Sequence, residues 1–551
     1  MLKKYLFRIY PFLIIFLICI PVILPYFNSG YFPTHDGEWA VVRLGDMFRT
    51  IRDFQIPPRY SGALNFGYGY PLFNFAYPMP YYLGVVFNLF LHSLILSIKS
   101  LFILSVFLSA FFMYLSSSKL WNSKLSGIIS SILYIYLPYR MVDLYVRGSL
   151  GESTAMILFP LILYFCLRLF ESPYSRVSVF VLSISIGSLV MTHNIMTILF
   201  FPILIFFIGA RVIIEKRFDV LQTFLLCMAF GAGLSCYFWF PALFEKSNIL
   251  LSQIPIADRN LYFVSFDKLI VPSWDYGTPT EKGAFTYQLG LGQIGVIVIS
   301  FVILLFSFIK SRFVQTPIKK YAVIIFCSFV ICLLGTFSIS SLVWSNTPLL
   351  SEINYPWTLL SQLGFLASLL AGFLVIEGRE IKVIVFILAI VAVIQVFPYA
   401  KPIKYSYYSD DYYLTNEATT TSSQELMPLW VKDRPLKRFA DKVEILSGDA
   451  TITNVAYKSN SIKFKFEATS QTTFKINTIY YPGWRAYING VETKIGYDNP
   501  QGVMTVTAGK YTNSIELFFI ETLSRLIANI VSLLTFLVLL FVLLRPLLKF
   551  R

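Results

Sequence analysis

Charge is scarce in this chain. Asp, Glu, Lys and Arg make up only 14% of its 551 residues, against 56% hydrophobic ones, whereas an average soluble domain carries about 25% charged and 45–50% apolar residues. So little charge cannot solvate a chain of this size on all sides, which excludes an ordinary water-soluble enzyme. Cysteine is also sparse, and Cys19, Cys166, Cys227, Cys236, Cys327 and Cys332 all fall in apolar runs, so no disulfide framework or CxxC metal site is available. His35, His92 and His193 are the only histidines, and their spacing suits no zinc site. No repeat of fixed period and no nucleotide-binding motif occurs. The net charge of +15 is not a nucleic-acid signal, because basic residues flanking membrane spans produce the same balance.

What the chain does have is apolar length. A span needs about 20 predominantly apolar residues, and candidates run over 5–27, 100–117, 125–138, 153–170, 177–192, 195–213, 220–240, 294–309, 321–343, 357–376, 382–398 and 522–545. The first follows Lys3, Lys4 and Arg8 but is longer than a signal-peptide core and lacks a small-residue cleavage site, so it reads as a retained span. Tyr81 to Ser97 is ambiguous, and charge placement decides it. If that stretch does not cross, Lys119 and Lys124, Arg168 and Arg176, Arg211, Lys216 and Arg217, Lys310, Arg312, Lys319 and Lys320, Arg379 and Lys382, and Arg545, Lys549 and Arg551 all fall on one side, as cytoplasmic loops demand. The expectation is an integral plasma-membrane protein with about twelve spans and both termini cytoplasmic. Tyr81 to Ser97 is then an interfacial or re-entrant helix.

Segments 28–99, 139–152, 241–293 and 399–521 then face outward. Within the first, Val41, Leu44, Phe48, Ile51 and Phe54 recur at helical spacing while Arg43, Asp46, Arg49, Arg52 and Asp53 take the other face, which predicts a membrane-surface amphipathic helix over 38–54. In the last, Ser461 to Ala468 and Thr473 to Ile479 alternate as strands do. Asn489-Gly490 marks a hairpin within 485–495. The expected organisation is a membrane domain over 1–398, an outward β-sandwich-like domain over 399–521, and a final span with a basic tail over 522–551.

Polar residues that could carry chemistry gather on the outward side. Asp36, in Pro33-Thr34-His35-Asp36-Gly37-Glu38-Trp39, stands just past the first span, where a carboxylate at the bilayer surface can have a tuned pKa and act as a base. Asp36 or Glu38 can equally cap the following helix. In the run 139–152, Arg147 precedes Gly148 and can fork onto a phosphate, or serve with its tyrosines as an interface anchor. Asp143 and Glu152 flank it, and Glu152 can simply suit the N-terminus of the next span. His193-Asn194 lies at an outer turn that could be nothing more than a turn. An oxygen-rich set of Asp36, Glu38 and Asp143 leaves Mg or Mn open as a cofactor. The Gly-, Pro- and aromatic-rich run 67–82 reads either as packing or as a wall for a lipid chain or sugar.

The runs GYGYPLFNFAYPMPYYLG (67–84), LPYRMVDLYVRGSLGES (137–153) and THN (192–194) resemble the bacterial membrane proteins labelled 6-pyruvoyl-tetrahydropterin synthase-related, although nothing in these residues points to pterin chemistry. TTTSSQELMPLWVKDRP (419–435), YYPGWRAYING (480–490) and the last span are similar to YfhO-type membrane proteins. Both groups resemble GT-C superfamily glycosyltransferases. That resemblance implies a polyprenyl-phosphate sugar as donor and an acidic residue in the first outer loop as base or acceptor-positioning group. Asp36 matches that position, with Glu38 its neighbour. It also favours Arg147, with Arg43 and Tyr145, as phosphate contacts, and Asp143, Glu152, His193 and Asn194 as support. The second outer loop has Asp143 alone and no DxD, which counts against a metal requirement. The implied function is inverting sugar transfer within the membrane to an extracytoplasmic glycan, lipid or protein, without nucleic acid. The rival reading is a non-catalytic scaffold or lipid-linked sugar transporter, but the spans are almost free of acids at mid-depth, where a transporter needs them.

Overall fold

The computed structural model describes residues 2–278, 286–309, 316–415, 418–421, 424–510 and 513–548. Lys310, Arg312, Lys549 and Arg551 of the basic loops lie outside them. Helices dominate, because lipid offers no hydrogen-bond partners and each backbone group must be satisfied within its own segment. Among the described residues nine helices are long and apolar enough to cross a membrane, or up to eleven when each of two bent pairs counts as one span. Twelve spans were expected, and the difference lies partly in Arg176–Thr192, which has only 17 residues.

The bends have local causes. Lys124–Ile135 and Pro138–Arg147 meet at 49°, where Pro138 removes a donor and forces the preceding Leu137 into an extended conformation (ψ 129°). The second piece ends at Gly148, whose φ of +62° is the left-handed conformation that glycine adopts without strain. Phe218–Leu234 and Cys236–Phe244 bend by 68° at Ser235.

The ambiguous stretch 81–97 resolves into Met79–Leu91, a 13-residue helix of about 20 Å at 1.5 Å per residue, too short for a ~30 Å hydrocarbon core. The chain then turns at His92 (φ +49°). The helix expected over 100–117 starts earlier, running Leu94–Trp121, with Ser93 Oγ accepting from the Leu96 amide. Asp410, from a distant linker, also accepts from the Leu94 and Ile95 amides at 2.6 and 3.1 Å.

The first span forms α1, Leu2–Ile23, and the amphipathic helix forms α2, Gly37–Arg52, which is not a bare surface helix. Leu44 packs on Gly84, while Gly45 faces Leu94 and Leu414. Asp46, expected on its exposed face, is only 4% exposed. Long-range packing covers both sides of the helix.

Among the described residues the C-terminal domain has eight strands: β1 Val443–Ser447, β2 Ala450–Lys458, β3 Ser461–Ala468, β4 Thr472–Ile479, β5 Trp484–Ile488, β6 Val491–Thr493, β7 Val503–Ala508 and β8 Ser514–Phe519. They form a three-stranded sheet, β1-β4-β7, and a five-stranded one, β2-β3-β8-β5-β6. β3 buries Ile462, Phe464 and Phe466 in alternation, and Phe466 meets Phe474 of β4 with ring centroids 4.6 Å apart. Asn489 (φ +49°) and Gly490 (φ +83°) make the two-residue turn joining β5 and β6. β2 is an exposed edge, and so lacks the alternation that marks β3.

A buried polar network holds this domain on the helices. Arg525 donates to Glu245 through Nε and Nη2 at 2.8 and 2.6 Å, with side chains 0% and 5% exposed. Asn74 Nδ2 and the Tyr481 hydroxyl donate to the same carboxylate at 3.1 and 3.0 Å. Beside it Arg59 pairs with Glu521 at 3.2 Å and donates to Asn529 Oδ1 at 2.9 Å. One cluster thus ties the bent helix Cys236–Phe244, the 59–75 loop, the β domain and the last helix. Removing one charge strands the other in a dry site, so Glu245→Gln is expected to cost about 3–5 kcal/mol, read as a lower melting temperature in detergent. The double replacement Glu245→Met with Arg525→Met should melt higher than either single variant, since no charge is then left buried alone.

Candidate functional site

The site starts from a backbone joint. The first loop lays its chain along the turn that ends at Gly148, so that the His35 amide donates to the Val146 carbonyl at 3.0 Å and the Asp36 amide to the Arg147 carbonyl at 2.7 Å. Gly148 lies so close to this loop that a Cβ there would sit 2.8 Å from the Gly37 nitrogen. Asp36 occupies the N-cap position of α2, yet its side chain makes no capping hydrogen bond. Thr34 Oγ1 does that work instead, accepting from the Gly37 amide at 2.9 Å. The half-buried Asp36 carboxylate is therefore not committed to the helix end.

Arg147 is held from one side. Its Nη1 donates to Asp143 Oδ1 at 3.0 Å, Glu152 Oε1 at 2.5 Å and the Tyr139 hydroxyl oxygen at 3.2 Å. The Tyr139 hydroxyl in turn donates to Glu152 Oε2 at 2.7 Å. The guanidinium stacks over Trp357 at 4.7 Å. Asp143 and Glu152 are fully shielded and Arg147 is 13% exposed at the side chain. Every hydrogen bond from this guanidinium to a described side chain comes from Nη1, and the remaining nitrogens of the planar fork are not engaged by them. A fork pinned at one corner and flat on an aromatic ring is organised to receive a bidentate anion.

His193 closes the cluster. Its Nδ1 accepts from the Met196 amide at 3.3 Å, which caps the next helix and leaves the ring proton on Nε2, 3.9 Å from Glu152 Oε1. Tyr77 stacks on the imidazole at 5.5 Å and on Tyr81 at 5.9 Å, so the aromatic run forms one wall. Burial, with Arg147 adding to it, pushes His193 down to about 4 against the pull of Glu152, and at neutral pH the ring is uncharged.

Other expected residues lie elsewhere. The Tyr145 hydroxyl donates to the Val22 carbonyl inside the helical core. Arg43 Nε donates to Thr420 Oγ1 at 3.0 Å and Nη2 to the Thr420 carbonyl, beside Tyr81 and Tyr77. Glu38 stands in the first turn of α2, where burial raises its pKa. Asn194 opens the helix after His193 and is exposed. Among the described residues no three His, Cys, Asp or Glu side chains could hold a metal ion. Asp36, Glu38 and Asp143 therefore do not assemble into the oxygen-rich set. Tyr139 falls in the run 139–152 only as one of its anchoring tyrosines, and Trp357 lies outside every run the sequence marks for chemistry. Trp357 opens a span some 200 residues downstream, where a tryptophan reads as an ordinary interface anchor.

A family model described as the 6-pyruvoyl-tetrahydropterin synthase related domain, a membrane protein, matches residues 73–403. The stretches similar to YfhO-type proteins, 419–435 and 480–490, lie outside that match. An uncharacterized protein of Lactococcus lactis is 24% identical over 340 residues, covering 59% of this chain and 53% of its own length; the match thus spans about half of that relative. Among solved structures, the arabinofuranosyltransferase AftD from Mycobacteria aligns over 71% of this chain and 26% of its own (TM-score 0.44, 13% identity). The archaeal oligosaccharyltransferase AglB from Archaeoglobus fulgidus, solved with an inhibitory peptide and a dolichol-phosphate, aligns over 76% and 57% (TM-score 0.42, 13% identity).

Because the unfolded chain takes up the His193 proton near pH 6.5 and the folded one only near 4, the fold loses stability as pH falls through that window. The loss is about 3 kcal/mol at most. Melting of detergent-solubilised protein between pH 7 and 4.5 should fall less steeply for His193→Gln than for wild type.

Proposed function

We propose that this chain, which belongs to the 6-pyruvoyl-tetrahydropterin synthase related family of membrane proteins, is a membrane glycosyltransferase that moves a sugar from a polyprenyl-phosphate donor to an acceptor on the β-domain side. The observation that carries this reading is the pairing, through one backbone hydrogen bond of 2.7 Å, of an uncommitted carboxylate at Asp36 with an anchored, part-free guanidinium at Arg147. A base and an anion receptor side by side suit displacement at a carbon bearing a phosphate. The surrounding apolar helices suit a donor carried on a lipid.

In this mechanism an acceptor hydroxyl attacks the anomeric carbon from the face opposite the phosphate. Its proton passes to the Asp36 carboxylate, the new C–O bond forms, and the old one breaks with its electron pair leaving on the lipid phosphate. Arg147 neutralises the charge that develops there, and does so in a site where such stabilisation is largest. Asp143, Glu152 and Tyr139 keep the guanidinium in place, as positioning residues. One inversion at carbon follows from one displacement. The β domain is assigned to the extracytoplasmic side of the plasma membrane because Arg211, Arg217 and Lys319 fall in short loops between spans that the excess of basic residues marks as cytoplasmic.

Reconstituted protein supplied with labelled polyprenyl-phosphate sugars and a membrane extract tests this. Asp36→Asn keeps the shape and removes the base, and should lower transfer about 10²–10⁴-fold. Transfer undiminished in that variant would reject the assignment. Arg147→Lys keeps a charge but loses the fork and should lower transfer about 10²-fold, while an unchanged rate would remove Arg147 from the phosphate site.

A further inference from the structure

About 15 Å along α2 from Asp36, at ten residues and 1.5 Å per residue, lies Asp46. Its side chain is 4% exposed, and no donor meets either carboxylate oxygen in good hydrogen-bond geometry, although the Ser61 hydroxyl and the Ala63 amide stand near it. A buried carboxylate so weakly met costs free energy, and burial pushes this one up to about 6 against the pull of Ser61 and Arg49. It lines a hollow of about 90 Å³ shared with Arg49 and Arg438. Those two arginines also wall a neighbouring cleft of about 390 Å³, open to solvent, which Phe439, Tyr457 and Lys458 complete; the one acid on that wall, Asp53, already accepts from the Ser459 amide at 2.7 Å. Together the two hollows run from α2 onto the edge of the β domain.

The lining has a definite chemistry. Asp46 can accept hydrogen bonds from hydroxyl groups. Arg49, Arg438 and Lys458 supply positive charge. Phe439 and Tyr457 offer ring faces of the kind that stack on sugars, and Lys442 Nζ sits 4.8 and 5.3 Å from their centroids. Lys442 also donates to the Gly67 and Asn477 carbonyls at 2.8 and 2.9 Å, which fixes the rings between the 60s loop and the β domain. Charged walls do not suit an acyl chain. Inner acceptor, outer cations and flanking aromatics suit a chain that carries hydroxyls, negative charge and flat apolar faces at once.

We propose that this cleft binds an acidic glycan chain. Its role as a holding subsite for the acceptor, remote from the point of transfer, rests on the transferase reading. The binding itself does not. α2 then links the two places rigidly, with the base at its N-terminus and the glycan-holding wall in its third turn.

The full-length protein in lipid nanodiscs is titrated calorimetrically with an oligogalacturonate, a phosphorylated oligosaccharide of the same length, the methyl-esterified and therefore neutral galacturonate, and an oligoglutamate. One or both acidic polyols should bind, and which one does so distinguishes a carboxylate source from a phosphate source. The neutral ester should bind at least about tenfold more weakly, and the surface variants Tyr457→Ala and Arg438→Ala should each weaken the acidic polyol about tenfold, equivalent to about 1.4 kcal/mol. Asp46→Asn should weaken it too, and the two surface variants keep the test valid if that one misfolds. Asp36→Asn should bind as wild type does, even with transfer abolished. The proposal is overturned if no acidic polyol binds, if the neutral ester or oligoglutamate binds as tightly, if Tyr457→Ala and Arg438→Ala both leave affinity unchanged, or if Asp36→Asn loses binding. Since the readout is binding, failure of sugar transfer in a separate assay would sink the transferase reading and leave this one standing.

Discussion

The joint between residues 34–37 and 146–148 is the constraint on which the site depends. Two backbone hydrogen bonds, His35 to Val146 and Asp36 to Arg147, fix a carboxylate and a guanidinium in relation to each other without using either side chain. That leaves both side chains for other partners. The joint closes only because Gly148 has no Cβ where Gly37 approaches, and because Thr34 takes over capping of α2. Pro138 contributes from a distance: by breaking the preceding span it turns the segment carrying Arg140, Asp143 and Arg147 toward the loop.

Around that joint the molecule handles buried charge in two ways. Glu245 is the saturated partner: Arg525 donates to both of its oxygens, and Asn74 and Tyr481 fill further positions on the carboxylate, so that the pair, although Arg525 Nη1 has no hydrogen-bond partner among the described residues, is a staple between the β domain and the helices. Arg147 instead meets two carboxylates from one nitrogen, and its other nitrogens make no hydrogen bond to a described side chain.

Much of the architecture was legible in the chain. Apolar length marked most of the helices, alternation marked β3 and β4, and Asn489-Gly490 marked its hairpin, because each of these signals is local and follows the period of its own element. β1, β2, β7 and β8 were not marked, β2 because an exposed edge has no buried face to impose alternation. Position relative to the first span and to Gly148 marked Asp36 and Arg147 as candidates beside ordinary capping and anchoring roles, and it was the family resemblance that favoured the functional reading. Tyr145 and Arg43 carried the same kind of signal, yet one hydroxyl turns into the helical core and the other side chain turns onto Thr420. A side chain's direction is set by neighbours hundreds of residues away.

By itself, then, the sequence determined a polytopic helical membrane protein with a C-terminal β domain and a cluster of polar residues at one end of its helices, since hydrophobic length, period and proline breaks act within a few turns of chain. Tertiary structure decided which of those polar residues meet. It brought Trp357 beneath Arg147, released Asp36 from capping, buried Asp46 on what looked like a solvent face, and set Glu245 against Arg525 across 280 residues. Those outcomes depend on packing between segments far apart in the chain, and no local pattern encodes the partner across such a distance.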